Sequence, residues 1–376
     1  MTLSLFAATL PGLGPFAAQE LWELGAANVK SVPGGVEFRG TPRDLYRANL
    51  HARTPSRILV RVGGFTATAF YDLRRKASRL EWERYLAPGQ PVAIKATCHK
   101  SKLYHSEAVA QRVAGAIGDR LGSTMAHHKG NDEADSLSAA QLLLVRLDHD
   151  RCTISVDSSG ELLHRRGYRL ATAKAPLRET LAAGVLMASG WDKTSPLIDP
   201  FCGSGTIPIE AALMARNVAP GRARRFAFMD WPGSDPVVWE SLLAEAGAGV
   251  KDARPIILAS DRDAGAIESA RANAERAGVA HLIEFSRRAV SGIEPPPTRG
   301  WIVTNPPYGV RLSEDQDVRN LYARFGSVIR AKCPGWRVAM LTGHLQLQRA
   351  VGLSFDEGVA LVNGGLRVRL FRAAVE

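Results

Sequence analysis

The chain has 376 residues, 45 % of them apolar and 23 % charged, with a formal net charge of +11 and a sequence pI of about 9.8. That composition excludes a disordered chain, provides for two or three cores, and favours a polyanionic partner. Four scattered cysteines without a C-x-x-C pair and nine histidines without metal-ligand spacing argue against a disulfide framework or a metal site and suit a reducing cytoplasm, and no apolar run approaches the roughly 20 residues of a membrane span.

The start, MTLSLFAATLPGLGPFAAQELWEL, lacks a basic leader region and reads as strand, turn and helix. GGVEFRG then predicts a strand, RDLYRANL a helix and RILVRV a strand, so residues 1–65 form a small α/β unit. The pattern restarts over 66–158. A helix is expected near AFYDLRRKASRLEWERYL, then the strand PVAIKATC, the basic loop HKSKLYH, the helix EAVAQRVAGAIGDRLG and strands at QLLLVRLDH and CTISVDS. Residues 159–175 look like a basic connector.

From 176 to 376 strands and helices alternate. The expected strands are PLIDPF, PIILASD, HLIEFS, GWIVTN, RVAMLT and GVALV; the helices include GTIPIEAALMARN, DAGAIESARANAERAGV closed by Gly278, and DVRNLYARFGSVIRAK. Such alternation predicts a parallel, doubly wound sheet, and the turn Asn363-Gly364-Gly365 predicts that the last strand returns antiparallel. Residues 218–252 interrupt the alternation as an insertion.

Three motifs fall at strand ends of this last region. In DPFCGSGT (199–206), Gly203 and Gly205 let backbone approach a ligand, but Pro208 replaces the third glycine of a dinucleotide fingerprint and the Lys of a phosphate loop is missing. A cofactor without phosphates fits better. For S-adenosylmethionine, Asp199 would attract the ammonium, backbone N–H groups the carboxylate, and Asp261, ending IILASD, the ribose hydroxyls. The plainer reading of the same residues is a turn, with Asp261 capping the helix that follows. The third motif, Asn305-Pro306-Pro307-Tyr308, offers a side-chain carbonyl and a backbone carbonyl on a stiff corner beside an aromatic ring. A weakly nucleophilic exocyclic amine needs such fixed, non-titrating acceptors for its N–H protons, and Tyr308 would lie against the base. Cys202 and Cys333 read as structural.

In this order the motifs resemble the S-adenosylmethionine-dependent amino-methyltransferases. With GGVEFRG, KSKLYHSEAVAQRV, LHRRGYR, APLRETLAAGVL and LVNGGL, nearly the whole chain is similar to the THUMP-domain RNA guanine-N2 methyltransferases, including bacterial large-subunit ribosomal RNA enzymes. The resemblance implies a ferredoxin-like unit, a THUMP domain that docks RNA, and a Rossmann-like class I methyltransferase domain. It implies that Asp199, Phe201, Gly203, Gly205, Thr206 and Asp261 line the cofactor site, that Arg178, Glu179 and Thr180 close over it, and that Asn305 to Tyr308 hold the guanine. Where many relatives carry an acid for the adenine amine, this chain has Ala289 after Arg287 and Arg288. Lys100, Lys102, Arg165, Arg166 and Arg169 are the expected RNA contacts. The residues alone leave other substrates open: a transfer RNA, an adenine N6 amine, a protein glutamine amide, or RNA binding without catalysis.

Overall fold

The computed structural model describes residues 2–123, 126–129, 140–169, 177–308 and 316–376. Residues 170–175 of the expected connector lie outside them. Two compact units emerge. One comprises residues 1–8, 18–163 and 224–244; the other comprises 9–17, 164–223 and 245–376. Among the described residues no helix is long and apolar enough to cross a membrane.

The first unit contains strands β1 (Leu3–Thr9), β2 (Ala27–Val32), β3 (Gly35–Gly40), β4 (Pro55–Thr66), β5 (Val92–His99), β6 (His127–Lys129), β7 (Gln141–Asp148) and β8 (Arg151–Asp157). They make one sheet in the order β2-β3-β1-β4-β8-β7-β5-β6. Helices α1 (Gly14–Glu23), α2 (Pro42–His51), α3 (Phe70–Ala77) and α4 (Ser106–Leu121) connect them. The 12-residue β4 runs through the border expected at 65/66, and its C-terminal half pairs antiparallel with β8. The long helix expected at 69–86 stops at Ala77. There the buried Trp82 turns back, and its indole donates to the Ala77 carbonyl at 2.8 Å, replacing the next helical turn. Strand β2 was not anticipated because both its faces are largely exposed and its side chains do not alternate. Part of the insertion seen in the sequence folds here. Phe228 stacks on Tyr46 with ring centroids 4.1 Å apart, and the Trp231 indole donates to Gln141 Oε1 at 2.7 Å.

The second unit contains β9 (Leu197–Asp199), β10 (Ile257–Asp261), β11 (Ile283–Arg287), β12 (Trp301–Thr304), β13 (Arg337–Thr342), β14 (Val359–Asn363) and β15 (Leu366–Ala374). The helices are α5 (Glu179–Ser189), α6 (Thr206–Ala215), α8 (Ala264–Ala277), α9 (Gln316–Lys332) and α10 (Leu345–Val351), while most of α7 (Pro236–Ala248) belongs to the first unit. Sheet order is β11-β10-β9-β12-β13-β15-β14. The first five strands are parallel, and β15 runs antiparallel to both β13 and β14. This is a Rossmann-like sheet with its last strand reversed, as the alternation and the Gly-Gly turn predict. Helix α8 ends at Gly278 in the left-handed region, φ +73°. It begins at Asp263, whose carboxylate accepts from Gly265 N at 2.9 Å, so Asp263 and not Asp261 is its cap. The strand order reverses between β9 and β12, which are neighbours though three crossovers separate them in the chain. Open α/β sheets bind ligands at such a point. Asp199 ends one of these strands and Asn305 follows the other.

Candidate active site

β9 is buried along its length and delivers Asp199 to the carboxyl edge of the sheet. The chain then bends through Gly203, φ +52°, and Gly205, φ +84°, into α6. Both values disfavour a side chain, and a Cβ on Gly205 would stand 3.0 Å from that of Ala270. Asp199 Oδ1 accepts from Thr304 Oγ1 at 2.6 Å and from Phe201 N at 3.2 Å. Burial pushes its carboxyl up to about 7, and Asp261 adds to the rise. Asp261 accepts from Gly203 N through one oxygen and from Asp263 N through the other, both at 3.0 Å. One acid thus ties the glycine bend to the end of β10.

Across the strand reversal stands the Asn-Pro-Pro-Tyr corner. Asn305 Oδ1 is buried and has no hydrogen-bond partner. Tyr322 OH donates to the Pro307 carbonyl at 3.3 Å, and Asn363 Nδ2 donates to Tyr308 OH at 2.7 Å. The thiols are no competitors for this chemistry. Burial raises Cys202, with Asp199 and Asp261 adding to it, and burial pushes Cys333 up to about 11, so both stay protonated at neutral pH.

A single cavity of about 1190 Å³ joins the two ends, larger than the ~300–1,000 Å³ typical of a small-molecule pocket. Of the expected cofactor residues, Asp199, Phe201, Gly203, Thr206 and Asp261 line it; Gly205 lies one step inside, at the start of α6. From the segment 177–180, Leu177 lines it, while Arg178 precedes α5 and Thr180 is buried with its Oγ1 unpaired. All four residues from Asn305 to Tyr308 line the opposite end. Ala289 and Val290 form part of the wall, and Arg288 on that wall is engaged with Glu294 at 2.6 Å.

The expected RNA contacts divide. Lys100, Lys102 and Arg165 are exposed. Arg166 is 5 % exposed and its Nε lies 2.9 Å from Glu210 Oε1, which also accepts from Tyr168 OH at 3.0 Å. Arg169 meets Glu179 at 3.0 Å and donates to the Leu177 carbonyl. These two arginines serve internal ion pairs instead of a phosphate-facing surface, a correction the bare charge pattern could not supply. Sequence reasoning also passed over Thr304 and Tyr322, and it read Asn363 only as a turn residue. Among the described residues His99, Asp148 and His149 gather on the first unit, with both imidazoles 2.9 Å from Asp148 Oδ1 and Arg146 3.3 Å from its other oxygen, a group already satisfied internally.

The sheet order, the glycine bend between two acids and the rigid corner at the strand reversal define a class I methyltransferase domain. Comparison with known proteins agrees. Residues 166–371 match the RMKL-like methyltransferase domain, 4–59 the RlmL ferredoxin-like domain and 67–157 the THUMP domain. The chain belongs to the RMKL-like methyltransferase family. It is 38 % identical, over 99 % of its length, to the ribosomal RNA large subunit methyltransferase K/L of Methylococcus capsulatus, but spans only 51 % of that relative. It is 36 % identical to slr0064 of Synechocystis sp., provisionally named an RNA methyltransferase, over 99 % of this chain and 96 % of that one. The crystal structure of SMU.472, provisionally classed as a methyltransferase and complexed with SAH, superposes with a TM-score of 0.88 at 29 % identity, over 100 % of this chain and 98 % of that one.

Proposed function

We propose that the protein uses S-adenosylmethionine to methylate the exocyclic N2 amine of a guanine in structured RNA, the large-subunit ribosomal RNA, in the cytoplasm. The observation that carries the reading is Asn305 Oδ1: a buried acceptor without a partner, in the same cavity as Asp199 and the glycine bend. Native chains rarely leave such an atom unpaired, and the amine N–H of a substrate is the missing donor. The K/L relatives support ribosomal RNA as the target.

The residues present fit the cofactor. Asp199 and Asp261 give the glycine-loop end acidic character suited to a cationic ligand, and the volume accommodates a nucleobase besides. When bound, the cofactor supplies a methyl carbon activated by its sulfonium. Asn305 Oδ1 and the Pro306 carbonyl accept the two N–H bonds of the amine and hold its lone pair toward that carbon. Their dipoles are fixed in advance by the two prolines, so stabilisation needs no reorganisation. Neither acceptor titrates, so the proton that the amine would give up on methylation would pass to solvent. Tyr308 supports the base face, a contact worth roughly 1–3 kcal/mol. Arg165, Lys100 and Lys102 are the remaining candidates for phosphate contacts, and Arg178 and Thr180 for closing the cofactor end.

The test is transfer of labelled methyl groups to total RNA from cells lacking the enzyme, followed by nucleoside mass spectrometry. The expected product is N2-methylguanosine in 23S RNA. Label confined to N6-methyladenosine, to transfer RNA or to protein would replace the corresponding part of the assignment. Absence of cofactor binding in calorimetry would leave a non-catalytic RNA-binding protein.

A further inference from the structure

We propose that Asn363 is a positioning residue for the target base and acts through the Tyr308 hydroxyl; the inference rests on the function proposed above. Its origin is a problem posed by the corner itself. Pro306 and Pro307 carry no backbone N–H, so the segment leading to Tyr308 lacks two of the donors that normally pin a chain to its neighbours. The corner is instead held from outside. From α9, Tyr322 OH grips the Pro307 carbonyl; from the end of β14, Asn363 Nδ2 grips Tyr308 OH. The first contact fixes backbone. The second fixes the far end of the ring that would support the base.

Asn363 is well placed to do so. It pairs with Leu366 across the β14–β15 ladder, and the two-residue connection between them is Gly364 at φ +55° and Gly365 at φ +83°. That conformation is the tight hairpin turn whose twist matches the strands, so the Asn363 backbone is rigid on both sides. Its side chain and Tyr308 line the same cavity, together with Gly364 and Leu366 of the hairpin tip. Tyr308 also packs against buried residues on both faces of the sheet, which leaves rotation about its own bonds as the freedom to be removed. Burial holds the phenol protonated at neutral pH, so the hydroxyl accepts from Asn363 throughout the working range. The two residues are 55 positions apart, and only the β14–β15 return brings them together.

A double-mutant cycle tests this under single-turnover conditions with saturating cofactor. Asn363→Ala and Tyr308→Phe each lower the methyl-transfer rate about tenfold, the value of one lost hydrogen bond of roughly 1.4 kcal/mol. RNA affinity, cofactor affinity by calorimetry and melting temperature change little. The combined variant is no slower than either single one, because both remove the same interaction. Asn363→Asp recovers part of the rate, since a carboxylate accepts a hydrogen bond from the phenol O–H and restores the tether, and this rescue is absent when residue 308 is Phe. Additive losses, or rescue by Asp in the Tyr308→Phe background, overturn the proposal. An unmodified protein that binds cofactor but labels no RNA would overturn the proposed function instead, a result separable from any outcome of the cycle.

Discussion

At the glycine-loop end of the cavity, Asp199 and Asp261 each take two donors from their own chain: Thr304 and Phe201 for one, Gly203 and Asp263 for the other. At the opposite end Asn305 keeps a buried carbonyl oxygen with no donor at all. The first arrangement builds a shape that persists whether or not a ligand is bound, since every contact is internal. The second leaves a desolvated acceptor waiting, at a cost of about 1–3 kcal/mol to the folded chain. A stable binding end and an unsatisfied reacting end suit an enzyme whose cofactor must be held before its substrate arrives, because only interactions completed in the transition state accelerate the chemistry.

Removing the open acceptor is the most severe way to break that contrast. Asn305→Ala takes away a preorganised dipole and is expected to reduce the methyl-transfer rate by about 10³-fold, within the range seen when one such group is lost. Cofactor affinity measured by calorimetry stays within about twofold, because Asp199 and Asp261 are untouched. The same change removes an unpaired buried atom, so the melting temperature holds or rises. A fall in cofactor affinity of the same size as the rate loss would show that the two ends are not independent.

Behind the closed end, the contrast predicts a purely structural role for a pair of charges. Glu210 lies on α6, the helix that leaves the glycine bend, and is fully buried against Arg166. Arg166→Ala leaves that carboxylate without its counter-charge and is expected to destabilise the protein by about 3–5 kcal/mol in denaturant unfolding. The salt dependence of RNA binding, measured on folded protein, keeps its slope. A lower slope without loss of stability would return Arg166 to the list of phosphate contacts.

These arginines also mark where the sequence stops being readable. The parallel sheet, its reversed last strand, the glycine bend and the corner were legible because each is written in consecutive residues: a strand run, a Gly-x-Gly, an Asn-Pro-Pro-Tyr. The meaning of Arg166 and Arg169 was not, because a charge in a sequence carries no sign of whether Glu210 or Glu179 waits opposite it. Asn363 and Tyr322 escaped for the same reason, since their partners in the corner are set by strand order and helix placement. The insertion was visible as a break in rhythm, but nothing in it says that Phe228 will stack on Tyr46. Local chemistry was open to reading; the pairing of distant polar groups was decided by topology.

A titration sharpens the contrast further. Asp199 is 1 % exposed, and its folded-state pKa is raised from 3.8 to about 7, chiefly by desolvation. A raised acid binds a proton in the folded chain while the unfolded chain has lost it, so its contribution to stability is complete below pH 4 and is lost as pH rises to about 7. At about 1.4 kcal/mol per pKa unit the loss is on the order of 4 kcal/mol in the cofactor-free protein. Asp199→Asn keeps an acceptor for Thr304 and Phe201 N but has no charge to desolvate. The variant should therefore gain stability relative to the parent between pH 4 and pH 8, as read from melting curves without cofactor. A cationic ligand reverses the preference, because it favours the ionised carboxylate. Cofactor affinity of the parent should rise with pH up to about 7 and then level, while the variant binds roughly 10–100-fold more weakly at pH 8 with no such pH dependence from this group. A variant that is both more stable and a poorer binder would establish that the closed end holds its charge for the cofactor and not for the fold; unchanged affinity would move the cation-binding role to Asp261.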